Sequence, residues 1–107
     1  SHPTSTERVE NNRLRARELM VQRVTDAARA YEAYEEASAL LAVASHDAAM
    51  SSLNGALNLL YHEAQFRGLR GAITMAQNRY GDAVTNFDRA INLDPVYFAY
   101  YLHRGAG

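Results

Sequence analysis

The sequence has no cysteine, no tryptophan and no lysine; all 11 basic side chains are arginine. Without cysteine there is no disulfide, no thiol nucleophile and no thiolate ligand. Without lysine there is no amine for Schiff-base chemistry. Lack of cysteine fits cytoplasm and periplasm equally and leaves the compartment unknown. Two prolines and six glycines are too little punctuation for an all-β chain, which turns every few residues. No apolar run approaches the roughly 20 residues that span a bilayer. The longest apolar-leaning stretch is "ASALLAVA" at 37–44, so no direct membrane insertion is expected. A net charge of −1 offers no bulk attraction to nucleic acid, and no nucleic-acid partner is expected.

Alanine, leucine, glutamate and arginine are abundant, which points to an all-α fold. With 107 residues the chain is one domain or a fragment of one, and its hydrophobic content of 48% is that of a folded protein. The charges are unevenly placed. Residues 1–29 hold six Arg against four acids; residues 30–64 hold no Arg and five acids; residues 65–107 hold five Arg against three Asp. Solvated helix faces account for this split without a partner. The sharper alternative is that the acidic middle meets a basic partner, or the Arg-rich N-terminal helix of another copy.

The chain opens "SHPTS" without Met, so a targeting signal would be out of view. Thr4-x-x-Glu7 after Pro3 resembles a capping box, in which hydroxyl and carboxylate satisfy free backbone N–H groups. No Gly or Pro then appears before Gly55. Ala16, Met20, Val24, Ala27 and Tyr31 fall on one helical stripe, predicting a helix over about 5–44. The change of charge near 29–30 marks the place for a bend or break. Ser45-His46-Asp47 reads as a stop and a new N-cap, with Asp47 placed against the next helix dipole.

Arg70-Gly71 returns as Arg104-Gly105, 34 residues on. At the same offset Ala83, Val84, Phe87, Ala90 and Ile91 match Ala49, Met50, Leu53, Ala56 and Leu57 in character. Both sets are spaced i, i+1, i+4, i+7, i+8, one face of a helix. Gly71 corresponds to Ala37 backward and Gly105 forward, so that site stays small. Asn54-Gly55, ordinarily a turn signal, falls inside the repeated helix and is read as helical. The chain is therefore read as a repeat.

With a 34-residue period of two helices, the chain resembles the tetratricopeptide (TPR) family. The resemblance is carried by Gly71, Tyr80, Ala83, Phe87, Ala90 and the closing "INLDP" with Pro95. Small residues at Gly71 and Ala83 let paired helices approach, Phe87 fills the space they leave, and Ala90 admits the next repeat. Asp94 can cap a following helix with Pro95 in its first turn. After it, Tyr101 falls at the family's large aromatic and Gly105 at its small residue. The unit at 30–63 departs from the pattern, with Tyr61 in place of the closing Pro, and Arg67 stands where the second unit should have its large aromatic. The resemblance implies an all-α fold of antiparallel helix hairpins, stacked as a short right-handed solenoid with a long N-terminal helix. Its parts are an N-terminal capping or exchange helix at 1–29, a degenerate repeat at 30–63, a repeat at 64–97, and at 98–107 the start of a further repeat or a terminal capping helix.

Catalytic spacing is missing. His62-Glu63 begins like a zinc-protease motif, but "HEAQF" lacks the second His, and His46-Asp47 has no further ligand at helical spacing. No nucleophile elbow surrounds Ser51 or Ser52. No enzymatic activity, cofactor or metal is expected. The family resemblance implies instead a concave groove lined by first helices, here Tyr31, Tyr34, Ser38 and Leu41, then Gln65, Gly68, Ala72 and Met75, then Ala99 and Leu102. Some members clamp a chaperone's C-terminal carboxylate with Lys, Asn and Arg; the corresponding sites carry Tyr34, Ser38, Leu69, Ala99 and His103, which argues against that partner. The "YFAYY" cluster at 97–101 reads as intra-repeat core, with Tyr100 facing outward. The expected function is a scaffold that holds a peptide or amphipathic helix of a protein partner. The alternative is a self-assembly module that forms a homo-oligomer through helix 5–29.

Overall fold

The computed structural model describes residues 5–96. Among them every regular element is an α-helix: α1 (Ser5–Ala42), α2 (His46–Leu59), α3 (Ala64–Ala76) and α4 (Tyr80–Leu93). The Thr4 half of the capping box, the tyrosine cluster at 97–101, Ala99, Leu102, His103 and Gly105 lie outside the described residues.

Helix α1 is one unbroken element of 38 residues, about 57 Å at 1.5 Å per residue, with no break at 29–30. The switch in charge changes only exposed side chains there, and with neither Gly nor Pro present the i→i−4 ladder runs through. The helix lives in two environments. From Ala30 onward it is packed, with Ala30 and Ala37 fully buried, whereas every residue from 5 to 24 is exposed. The packed half supplies the costly nucleus, and the outer half only has to propagate, which its helix-forming residues do at little cost.

The backbone itself repeats at the interval found in the residues. Helices α2 and α4 both have 14 residues, offset by 34. Each preceding turn puts one residue in the left-handed region, Ala44 at φ 61° and Asn78 at φ 63°. The same pair of bonds closes each turn: Ala44 N–H to Leu41 O and Ser45 N–H to Leu40 O, then Asn78 N–H to Met75 O and Arg79 N–H to Thr74 O. This is the Schellman ending, in which two carbonyls at a helix C-terminus regain donors. Asn tolerates the left-handed region, while Ala at 44 pays about 1 kcal/mol for it. Ser45 takes the N-cap position of α2 without a side-chain capping bond, and Asp47 lies in its first turn.

Helix α1 pairs with α2 and α3 with α4; α3 also touches α1 and α2, while α2 and α4 are not in contact. The core of the first hairpin is small residues facing each other, Ala30 and Ala37 against Ala49 and Ala56, with Leu53 and Leu57 filling the remaining volume. In the second hairpin the sizes are redistributed. A methyl group added at Gly71 would stand 2.7 Å from the Phe87 ring, below any ordinary contact. The pair Gly71–Phe87 therefore corresponds, 34 residues on, to Ala37–Leu53. One position loses a carbon and its counterpart gains a ring, which conserves fill without changing the helix pairing. Buried Thr74 and Asn86 are satisfied by their own helices, Thr74 donating to Arg70 O and Gly71 O and Asn86 to Asp82 O.

Gly71→Ala should cost about 1–3 kcal/mol in urea denaturation through overpacking. In a Phe87→Leu background, which copies the first hairpin, the same change should cost under about 1 kcal/mol, a coupling that a double-mutant cycle measures. Gly55 lies in α2 with open space where a Cβ would go. Gly55→Ala should raise stability by about 0.5–1 kcal/mol on the same assay.

Candidate partner-binding face

The residues expected to line a groove divide by helix. Tyr31, Tyr34, Ser38 and Leu41 lie on the packed half of α1; Gln65, Gly68, Ala72 and Met75 lie along α3; Ala99 and Leu102 fall outside the described residues. Tyr34, Ser38, Leu41, Gln65, Gly68 and Ala72 are half-buried, while Tyr31 and Met75 are exposed. The two tyrosines join the helices. Tyr34 stacks on the fully buried Phe66 ring at 5.2 Å, and Tyr31 meets the same ring edge-on at 5.2 Å. The Tyr31 hydroxyl donates to Glu63 Oε2 at 2.9 Å, fixing α1 to the start of α3. Removing either ring would disturb the α1–α3 junction as well as any surface.

Along α3 the positions 65, 68, 72 and 75 recur at intervals of 3 or 4, a single helical line. The opposite side of α3, with Phe66, Gly71, Ile73 and Thr74, is buried. A Cβ at Gly68 would meet nothing within 4 Å, so the middle of the line is a shallow step in the surface. Met75, at its end, is 44% exposed and has an adaptable thioether side chain.

A second feature was not anticipated from the sequence. Arg67 is buried, and its guanidinium lies 4.6 Å from the centre of the Tyr61 ring. An aromatic from the loop between hairpins thus covers the position where a large aromatic was expected in α3 itself. Arg89 of α4 donates to the Tyr61 hydroxyl at 3.1 Å. Two clefts of about 220 Å³ and 310 Å³ adjoin here and share Arg67 and Arg89; the smaller also takes in Arg70 and the Arg79–Asp82 pair. The signal available in the sequence was charge. Arg67, Arg70, Arg79 and Arg89 stand where the first unit has Ala33, Glu36, Ser45 and Gly55.

Tyr61 responds to this field. Its phenol is lowered from the ordinary 10.0, first by the hydrogen bond from Arg89, then by the positive charges of Arg89 and Arg67. The described residues contain no group of three His, Cys, Asp or Glu placed to hold a metal ion, and no helix long and apolar enough to cross a membrane. Comparison with protein-family models, curated proteins and solved structures finds no match.

A lowered folded-state value for an acidic group means that folding is favoured once the phenolate forms. That contribution is present above pH 10 and is lost as pH falls through the folded value, so it is absent at neutrality. In absorbance titration at the phenolate band, the difference between wild type and Tyr61→Phe should show a midpoint below 10.0. Arg89→Gln should move that midpoint back up, since it removes the largest cause.

Proposed function

We propose that the chain is a non-catalytic scaffold of the tetratricopeptide type, its hairpins forming a short right-handed solenoid whose first-helix side takes a peptide or amphipathic helix from a protein partner. The observation that carries this reading is the 34-residue period shared by residues, turns and helix ends. A chain built by repetition places first helices side by side, and the strip between them suits an extended or helical polypeptide. The contact of α1 with α3 through Phe66, and the open line Gln65, Gly68, Ala72 and Met75 beside it, support this assignment.

A second reading has its own support. In the outer half of α1, Val9, Leu14, Leu19, Met20, Val21 and Val24 are all about half exposed or more. Six large apolar side chains on a projecting helix favour association, and a second copy supplies a matching helix. Light scattering over a wide concentration range separates the two readings: a constant monomer mass removes self-assembly and leaves the scaffold.

Because Tyr34 braces Phe66, the scaffold is tested on α3. Met75→Glu combined with Gly68→Gln should abolish recovery of partners by the tagged protein from cell extract, with circular dichroism and thermal midpoint unchanged. Recovery of the same partners by the variant would place binding elsewhere.

A further inference from the structure

The cleft between α3 and α4 lies outside the scaffold face just described. At 100° per residue, the α3 line through Arg67, Arg70 and Thr74 is centred about 150° around the helix from the line through Gln65, Gly68, Ala72 and Met75. We propose that this cleft is a second binding site, for an acidic polypeptide segment whose carboxylates are held by Arg67, Arg70 and Arg89.

The cleft carries uncompensated positive charge. Arg79 is paired with Asp82 at 2.6 Å, but no carboxylate among the described residues lies within 4.0 Å of Arg67, Arg70 or Arg89. Arg67 is only 4% exposed, and its neighbour in the cleft, Arg70, has a buried Nε with no hydrogen-bond acceptor. A buried guanidinium without an anion is costly, and the stack on Tyr61 offsets only part of that cost. Residues 1–4 and 97–107 contain no Asp or Glu either.

The fold does not need these arginines. The first hairpin has a second helix of the same 14-residue length and the same turn while carrying Ala33, Glu36, Ser45 and Gly55 at the equivalent positions. The positive charge is an addition to one hairpin rather than a requirement of the repeat.

The shape of the cleft suits a chain rather than a small ion. The two clefts follow α4 from Asp82 past Arg89 to Leu93, about 16 Å along the helix axis. A single small anion would occupy a fraction of that length, whereas a chain bearing spaced carboxylates reaches guanidinium forks at several points. Each fork can take a carboxylate in a two-point contact, and Asn92 on the same wall offers its amide to the peptide backbone.

The test uses the whole chain and a fluorescein-labelled peptide of alternating Glu and Ala, followed by fluorescence anisotropy at low and raised salt. Binding that weakens with salt is expected, with Arg70→Gln and Arg89→Gln each weakening it by about 10-fold or more. Asp88→Asn, on exposed α4 surface outside the cleft, should leave affinity within about 2-fold. Unchanged helicity by circular dichroism confirms that the arginine variants are folded, and the half-buried Arg70 and exposed Arg89 are chosen over Arg67 for that reason. No anisotropy change up to about 1 mM chain, or equal binding by wild type and both arginine variants, overturns the proposal. So does displacement of the peptide by a single-stranded oligonucleotide of equal charge at lower concentration, which assigns the cleft to nucleic acid. Met75→Glu with Gly68→Gln should leave this binding intact, so failure of the scaffold reading and failure of this one are told apart.

Discussion

How closely two helices can approach is set by the smallest side chains between them, and this limit governs the architecture. In the first hairpin the spacing is set by alanines, with Leu53 filling the gap; in the second it is set by Gly71, with the Phe87 ring resting where a methyl group would otherwise be. Fill is conserved between the two solutions, and the length of the second helix and the turn geometry are the same in both. The second hairpin stacks through α3 on both helices of the first.

Against that constant frame, the differences between hairpins are informative. Phe66 is shifted by one residue from the position where an aromatic was expected, and it faces Tyr31 and Tyr34 rather than its own partner helix. The vacated position holds Arg67, roofed by Tyr61 from the connecting loop. One exchange thus produces both the aromatic junction that ties α1 to α3 and the cationic flank on the other side. Gln77, whose amide donates to Asp47 Oδ1 at 3.1 Å, adds a polar tie between the α3–α4 turn and the start of α2.

The helices and the repeat were legible in the sequence because burial leaves a periodic trace: Ala49, Leu53 and Ala56 recur as Ala83, Phe87 and Ala90, and Asn54-Gly55 does not interrupt that face. The continuity of α1 was not, since a change in exposed charge looks like a boundary when the backbone has none. The left-handed residue at Ala44 left no local signal, as alanine is poor at that conformation and only the turn's register imposes it. The residues of the expected groove rest on the family resemblance alone, and the engagement of both tyrosines with Phe66 depends on how the hairpins stack, through contacts across 32 and 35 residues. The arginine cleft escaped for a related reason. Its members lie on two helices and a turn, and only folding brings them to one wall.

The central claim is that one helix-hairpin unit is used twice, with its closest approach at Gly71 in the second copy and at Ala37 in the first. Nuclear Overhauser spectroscopy on the labelled chain tests this most directly. The account predicts cross-peaks from the Gly71 α-protons to the Phe87 ring and a matching set between Ala37 and Leu53. A folded, helical protein in which the Phe87 ring shows contacts only to residues outside α3 would contradict it.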